Sequence, residues 1–240
     1  MGTHWLMKSE PEPRVVQGVD VSFSADTFEK AKVTSWEGVR NYQARQFLRD
    51  EMKVGHEVLF YHSNTKLPGI AALAEVCRDG YPDPTAWDSK HPYYDAKATD
   101  KANPRWFRVD VRFVRRLPYF VPLALLQHIA QGLSAEQRKD VAYLSDEHLA
   151  GIAGMALLNR SRLSVQPVQT SAYEAVCLLG DHGNFSTWPG KWNEDGAKRR
   201  RAEANTPTKR AKMNQDTRAP NAAPPPSDAA PRTRRARRSP

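Results

Sequence analysis

Apolar and polar side chains alternate most regularly along RWFRVDVRFV, residues 105–114. The alternating apolar residues are Phe107, Val109, Val111 and Phe113. A period of two places one set of side chains on a buried face, so the pattern predicts a strand of an antiparallel sheet. Four further runs have the length and composition of strands: HWLMKS, EVLFYHS (57–63), GIAALAEVC (69–77) and SVQPV (164–168). Pro167 cannot donate a backbone hydrogen bond and places the last run at a sheet edge or strand end.

These five runs, with the Pro-Gly turn TKLPG between EVLFYHS and GIAALAEVC, predict a small β-barrel with flanking helices. Thr34 and Glu37 have the spacing of a capping box and predict a helix from Trp36 to about Met52. Asn41 lies beside the apolar stripe of that helix. The same reasoning predicts a helix from the Ser171 to Glu174 box and another that begins at Pro122. Residues 132–157 contain short helical patches.

Residues 79–104 form a long connection rich in Pro, Asp and aromatic residues. Loops longer than about 15 residues in a compact domain are usually functional or disordered. The aromatic side chains Tyr81, Trp87, Tyr93 and Tyr94 favour a packed loop. The spacing of its aspartates favours turn formation over an acid/base or two-metal site.

The composition changes sharply after Trp192. Residues 193–240 contain no Phe, Trp or Tyr, but they hold 7 of the 18 prolines and 13 of the 36 Lys and Arg residues. A segment without large apolar side chains cannot offset its ordering entropy by burial. We therefore expect a folded domain over residues 1–190 and a disordered, basic, Pro-rich tail over 191–240.

The charge follows the same division. Residues 193–240 carry 13 basic and 5 acidic residues, so they supply +8 of the formal net charge of +9. A uniformly basic surface is therefore not the main binding device of the domain. Two cysteines and no apolar run of about 18 residues favour a reduced compartment and no membrane partner.

The signatures of common enzyme classes are missing from the sequence. The seven histidines form no H-x-H or H-E-x-x-H pair, which makes a metal site improbable. No G-x-S-x-G, Walker A or G-x-G-x-x-G motif occurs. We expect no catalytic residues, no metal and no cofactor.

Aromatic and polar residues instead occur at the predicted ends of strands and helices. An extruded base is held by stacking on an aromatic face and by hydrogen bonds to its edge. The residues that provide this chemistry are Lys8, Ser9, Trp36, Asn41, His62, Ser63 and Asn64. Each also has a structural interpretation, since Trp36 can pack a helix on the barrel and Ser63-Asn64 can form a turn.

Several long blocks resemble the EVE-domain family of PUA-like proteins. They include HWLMKSEP, SWEGVRNYQARQFLRDEMKVGHEVLFYHSN, PGIAALAEVCRDGYPDPTAWD, NPRWFRVDVRFVRRLP and NRSRLSVQPV, and the resemblance spans residues 4 to about 180. It implies a PUA-like barrel, related to YTH, ASCH and SRA modules, that binds modified DNA bases. Modified cytosines such as 5-hydroxymethylcytosine are the implied ligands.

The resemblance also implies site residues by matching motif. Lys8, Ser9 and Glu10 border the pocket, and Trp36 is its stacking wall. Further contacts to the base come from Asn41, Ser63 and Asn64, with Tyr81 and Asp83 as additional contributors. The segment 127–156 is longer than the family's linker, so it can remodel one rim.

The tail has its own motif. KRRRAEANTPTKRAKM, residues 198–213, contains two basic clusters separated by seven residues, which is typical of a bipartite nuclear import signal. Its basic residues are Lys198, Arg199, Arg200, Arg201, Lys209, Arg210 and Lys212. We expect nuclear localisation, an import receptor as partner, and salt-dependent phosphate contacts; a merely solvating tail is the alternative.

The sequence therefore favours a nuclear, non-enzymatic module that binds a modified base, most readily a modified cytosine in DNA. One alternative is recognition of a methylated base in RNA, which depends on the 2′-OH. A second is an enzyme that acts on a flipped base through Asp83 or another loop acid, although no nucleophile and base pair is identifiable.

Overall fold

A computed structural model describes residues 4–160 and 162–192. Its strands are β1 (His4–Ser9), β2 (Val15–Val16), β3 (Val19–Asp20), β4 (Val33–Trp36), β5 (Glu57–His62), β6 (Gly69–Pro82), β7 (Phe107–Pro122) and β8 (Val165–Val168). Its α-helices are α1 (Ala25–Ala31), α2 (Tyr42–Gln46), α3 (Leu123–Gln131), α4 (Ala135–Asp140), α5 (Asp146–Ala153), α6 (Ala156–Asn159) and α7 (Thr170–His182). A π-helical turn (Phe47–Glu51) follows α2, and a 3₁₀ turn (Pro84–Ala86) follows β6.

Six strands form one mixed sheet in the order β4-β7-β6-β5-β1-β8, and β2 and β3 form a separate hairpin. Strands β1 and β5 are parallel, whereas the other neighbouring pairs of the sheet are antiparallel. A parallel pair needs a long crossover connection, which here contains β2, β3, α1, β4 and α2. The α+β fold expected from the sequence is confirmed.

The sheet curves strongly around its inner face. Strands β4 and β5 are separated by two strands, so a flat sheet would hold them about 14 Å apart. The ring centroids of Trp36 on β4 and Phe60 on β5 nevertheless lie 6.0 Å apart. This contact across two intervening strands fits the barrel-like curvature that the five predicted strands suggested.

Because successive side chains of a strand point to opposite faces of the sheet, the strands contribute residues to two separate cores. Leu6 of β1 and Leu59 of β5 face helices α3, α5 and α7, in a cluster that we call the helical core. Their neighbours Trp5 and Phe60 face the inside of the curved sheet, in a cluster that we call the inner core. Both faces are therefore buried, which explains why β1 and β5 read as continuous apolar runs. The predicted buried face of β7 is confirmed, because Val109 and Val111 are fully buried.

The edge position of β8 is also confirmed. Pro167 lies opposite Trp5 in the β1–β8 pair, and β8 is the last strand of the sheet. An edge tolerates a residue that lacks a backbone N–H.

The prediction of a helix from Trp36 was wrong at its start. Val33–Trp36 is a strand because it pairs with β7, with Trp36 opposite Val109. The helix begins only at Tyr42, where the Asn41 side chain accepts a hydrogen bond from Ala44 N at 3.0 Å. Pairing with β7 therefore prevailed over the local capping-box signal.

The other two predicted helices exist. Helix α3 follows Pro122 as expected. Helix α7 begins at Thr170, so the predicted Ser171 cap is wrong by about two residues and Gln169 takes the cap position without a side-chain bond. Ser171 instead packs against α5, where a Cβ on Gly151 would lie 2.6 Å from Ser171 Oγ.

The long connection is packed by turns and a small aromatic cluster. The side chains of Asp88, Asp95 and Asp100 accept hydrogen bonds from backbone N–H groups two residues further along the chain. The turn interpretation of these aspartates is therefore confirmed. Trp106 is buried, and its Nε1 donates to Asp95 at 2.7 Å.

The segment 127–156 adds α4 and α5 beside α3 and α7, and it supplies Val141, Leu144 and Ile152 to the helical core. No helix within residues 4–160 or 162–192 is long and apolar enough to cross a membrane. Residues 193–240, including the proposed import signal, lie outside the described residues.

Candidate nucleic-acid interface

A cavity of about 740 Å³ lies at the open side of the inner core. Because β1 and β5 are parallel and in register from His4 to Ser9, their carboxyl ends meet at this cavity. Six residues predicted from the sequence line it: Lys8, Ser9, Glu10, Trp36, Ser63 and Asn64.

Hydrogen bonds join the two strand ends. Ser63 donates to Ser9 O through its backbone N at 2.7 Å and through Oγ at 3.0 Å. Ser9 Oγ donates to the carbonyl of Phe23. Since both hydroxyl protons are used within the protein, Ser9 and Ser63 present acceptors to a ligand.

The charged residues of this rim differ in exposure and pairing. Glu10 accepts from Arg14 Nη1 at 2.5 Å and from Asn64 Nδ2 at 3.2 Å. Burial lowers the pKa of Lys8 from its ordinary value. The Lys8 Nζ lies 5.7 Å from the centroid of the Tyr61 ring.

Trp36 forms part of the inner wall at the end of β4. Its side chain is 8% exposed, and its ring meets Phe60 edge to face. Trp36 thus belongs to the inner core and to the cavity lining at once. Such a ring can stack on a base only through the part of its face that reaches the cavity.

The turn after Trp36 brings a second aromatic ring to the cavity. Gly38 has φ of +75°, and a Cβ there would lie 2.4 Å from Tyr93 Cδ2. Glycine therefore provides both the left-handed backbone and the space for the Tyr93 ring. Burial raises the pKa of Tyr93, which keeps the phenol neutral.

An ion pair behind the wall holds this turn to the long loop. Arg40 donates to Asp83 Oδ2 at 2.8 Å, to Tyr93 O at 2.8 Å and to Thr85 Oγ1 at 3.0 Å. The Asp83 side chain is fully buried, and Gly38 N also donates to it at 3.0 Å. Burial raises the pKa of Asp83, but hydrogen bonds from Arg40, Thr85 and Gly38 outweigh it, and the net pKa is lowered.

Three predicted site residues lie elsewhere. Asn41, Tyr81 and Asp83 are not among the described residues that line the cavity. Asn41 caps α2. Tyr81 donates to Asp110 at 2.6 Å, and its hydroxyl lies 3.1 Å from Oγ of Ser35, which lines the cavity. These residues support the elements that form the cavity, and their contact with a ligand stays a prediction.

Asp83 also bears on the enzyme alternative. Its two oxygens accept four hydrogen bonds from Gly38, Arg40 and Thr85. Full burial and this pairing leave Asp83 unsuited to proton exchange with a substrate. Within the described part of the chain, no group of three or more His, Cys, Asp and Glu side chains could hold a metal ion.

Sequence reasoning did not identify several lining residues. They are Phe23, Ser35, Glu37, Gly38, Arg40, His91, Tyr93, Arg162 and Ser164. The glycine directly after the Trp36-Glu37 pair was a signal for a turn. The meeting of Gly38 and Tyr93 depends on a contact 55 residues apart in the chain, which local pattern does not contain.

Comparison with known proteins identifies similar chains. The family model of the EVE domain matches residues 3–179. Thymocyte nuclear protein 1 of Homo sapiens is 42% identical over 181 residues, which cover 75% of this chain and 74% of that protein. The Gallus gallus protein of the same name is 42% identical over 180 residues, covering 73% and 68%.

Two solved structures are similar to this chain. Human THYN1 protein in complex with DNA containing 5-methylcytosine has a TM-score of 0.64 and 44% identity, covering 74% of this chain and 96% of that one. The DUF55 domain of human thymocyte nuclear protein 1 has a TM-score of 0.63 and 43% identity, covering 74% and 98%.

Proposed function

The chain belongs to the EVE-domain family, and we propose that it is a non-enzymatic module that binds DNA and holds a modified cytosine in the cavity beside Trp36. The observation that carries the proposal is the joining of two aromatic rings, Trp36 and Tyr93, with hydrogen-bonding groups around one cavity of about 740 Å³. Sites of about 300–1,000 Å³ with an apolar lining and a few oriented polar groups are typical for small ligands. A single extruded base is well within that range.

The similarity to human THYN1 bound to 5-methylcytosine DNA supports DNA as the partner and a C5-modified cytosine as the ligand class. We include 5-hydroxymethylcytosine in the proposal, because the EVE-domain resemblance implies it. A base enters such a cavity by leaving the stack, and stacking on aromatic side chains then replaces its lost neighbours.

The tail has a separate role in this proposal. We propose that residues 198–212 direct nuclear import and that the basic tail adds phosphate contacts without sequence preference. Imaging the full chain beside a chain with Lys198, Arg199, Arg200 and Arg201 changed to Ala tests the import role. Nuclear accumulation of the variant equal to that of the full chain would refute it.

Fluorescence anisotropy of the full chain tests the binding function. The ligands are matched duplexes with a single cytosine, 5-methylcytosine or 5-hydroxymethylcytosine, together with RNA of the same sequence and with N6-methyladenine in both backbones. We expect tighter binding to one modified-cytosine DNA than to its unmodified counterpart. Equal affinity for all of these nucleic acids would refute the proposal, and a preference for modified RNA would favour the RNA alternative.

Tyr93 and Tyr94 provide a matched pair of variants. Tyr93 lines the cavity, whereas the adjacent Tyr94 does not and is 43% exposed. Base stacking on an aromatic side chain contributes about 1–3 kcal/mol. Tyr93→Ala should therefore weaken modified-base binding about 5-fold to 150-fold, while Tyr94→Ala leaves it unchanged. Trp36→Ala should act like Tyr93→Ala, provided that circular dichroism shows a folded protein.

A further inference from the structure

Three carboxylates line the cavity, and they differ in their hydrogen bonds. Both oxygens of Glu10 are occupied, one by Arg14 and the other by Asn64. Asp20 is exposed on the hairpin, and its Oδ1 accepts from the backbone N–H groups of Arg14 and Ser22. Glu37, which directly follows Trp36 and is about one third exposed, is the remaining one.

Among the described residues, only one of the two carboxylate oxygens of Glu37 accepts a hydrogen bond. Its Oε2 accepts a hydrogen bond from Arg108 Nη1 at 2.6 Å. The Arg108 side chain is itself held over the Tyr81 ring, with 4.8 Å from its Cζ to the ring centroid. Oε1 lies 3.6 Å from His91 Nε2, which is too long for a hydrogen bond. Among the described residues, Oε1 therefore keeps its capacity to accept.

The hydrogen bonding of His91 defines the position of its proton. The backbone N of Tyr93 donates to His91 Nδ1 at 3.2 Å. Nδ1 must then carry a lone pair, so the neutral ring has its proton on Nε2. The cavity thus presents an acceptor, Glu37 Oε1, directly beside a donor, His91 Nε2–H.

Resting on the proposed function, we propose that Glu37 and His91 select cytosine through the hydrogen-bonding edge of its ring. Cytosine has an amine donor at N4 beside an acceptor at N3. The amine donates to Glu37 Oε1, and N3 accepts from His91 Nε2–H. A carboxylate is a common partner of cytosine N4, and an extruded base exposes this whole edge.

Thymine is the informative competitor. It carries the same C5 methyl group as 5-methylcytosine, but it has a carbonyl at position 4 and an N–H at position 3. Both contacts are then mismatched, acceptor against acceptor and donor against donor. A site that loses its buried hydrogen bonds in this way rejects the analogue strongly.

The test measures binding of the full chain to duplexes in which 5-methylcytosine, cytosine or thymine lies opposite an abasic site. None of the three bases is paired there, so differences in pairing do not enter. We expect the wild-type chain to prefer 5-methylcytosine over thymine by about 5-fold to 150-fold. Glu37→Gln should abolish this preference, because its amide can accept from Arg108 through oxygen and donate to the thymine carbonyl through nitrogen.

Glu75→Gln is the matched control. Glu75 on β6 accepts from Arg112 Nη2 at 3.0 Å, which is also an Arg–Glu pair, but neither residue lines the cavity. This variant should keep the wild-type ratio of 5-methylcytosine to thymine affinity. If Glu37→Gln lowers both affinities by the same factor, Glu37 has only a structural role and the inference is wrong.

A second variant keeps the inference testable if Glu37→Gln does not fold. His91→Phe keeps a ring against Tyr93 but removes the Nε2–H donor, so it should weaken binding to 5-methylcytosine and reduce the preference over thymine. An unchanged preference would contradict the role of His91.

The two hypotheses fail in different ways. Equal binding of 5-methylcytosine and cytosine would refute the proposed function, since these bases differ only at C5. A wild-type preference for 5-methylcytosine over cytosine, without one over thymine, would refute the inference about Glu37 and His91 alone.

Discussion

The helical core and the inner core lie on opposite faces of the same sheet, yet they differ in what covers them. The helical core is covered by α3, α5 and α7, and its aliphatic side chains are joined by the aromatic residues Tyr61, Tyr173, Phe185 and Trp188. The inner core contains Trp5, Phe28, Trp36 and Phe60, and it opens at the cavity. The alternating side chains of β1 and β5 contribute to both cores. The comparison teaches that one face can be used mainly for stability while the other also presents rings to a ligand.

The walls of the two regions are also held differently. The helical core needs few polar contacts, of which Trp188 Nε1 to Asp140 at 2.8 Å is one. The cavity wall depends on the Arg40–Asp83 pair and on a left-handed glycine. Polar networks with full pairing define one geometry, whereas apolar contacts tolerate repacking.

The largest expected effect is on stability through the helical core. Leu126 of α3 is fully buried there. Leu126→Ala should lower the free energy of unfolding by about 2–5 kcal/mol, as measured by urea titration, with an unchanged ratio of modified to unmodified base affinity. Leu67→Ala, at a site 38% exposed, is the control and should have little effect. A changed base preference in Leu126→Ala would show that the helical core also affects base recognition, contrary to the comparison.

A smaller effect that joins stability and binding is expected at Gly38. Gly38→Ala should cost at least the roughly 1–2 kcal/mol of a left-handed L-residue, and it should also displace Tyr93 and weaken modified-base binding. Urea titration and anisotropy measure the two effects. Gly18→Ala is a matched control, because Gly18 has φ of +81° but nothing within 4 Å of its added Cβ. Equal binding losses in both variants would contradict the role of the Tyr93 contact.

The smallest effect is a pH dependence from the cavity wall. The pKa of Asp83 is lowered in the folded state, so its stabilising contribution is present above the unfolded pKa of about 3.9. It is lost as the pH falls through the folded pKa. The free energy of unfolding between pH 5 and pH 3 should therefore fall more steeply in the wild type than in Asp83→Asn. Asp88→Asn, at an exposed turn of the long connection, should keep nearly the wild-type slope; parallel slopes for the wild type and Asp83→Asn would exclude this contribution.

The cavity was partly predictable because strand ends carry visible signals. Ser9 and Ser63 follow apolar runs, and their adjacency needed only the parallel pairing of β1 and β5. The position of Asn41 at the N-cap of α2 was not predicted, because the capping-box spacing at Thr34 indicated a helix start at Trp36. In the structure, Val33–Trp36 pairs with β7 instead. Local helix signals are weak when an unpaired sheet edge is available.

The sequence by itself determined the two-sided alternation of β7, the edge position of β8 and the turn-forming role of the loop aspartates, since each depends on neighbours within a few residues. It also contained the long motifs of the EVE-domain family. Only the tertiary structure decided that Gly38 meets Tyr93, that Arg40 pairs with Asp83, and that Glu37 Oε1 lies beside His91 Nε2. These contacts join residues more than 40 positions apart, and the folding of the chain that brings them together depends on the summed packing of the whole sheet rather than on local pattern.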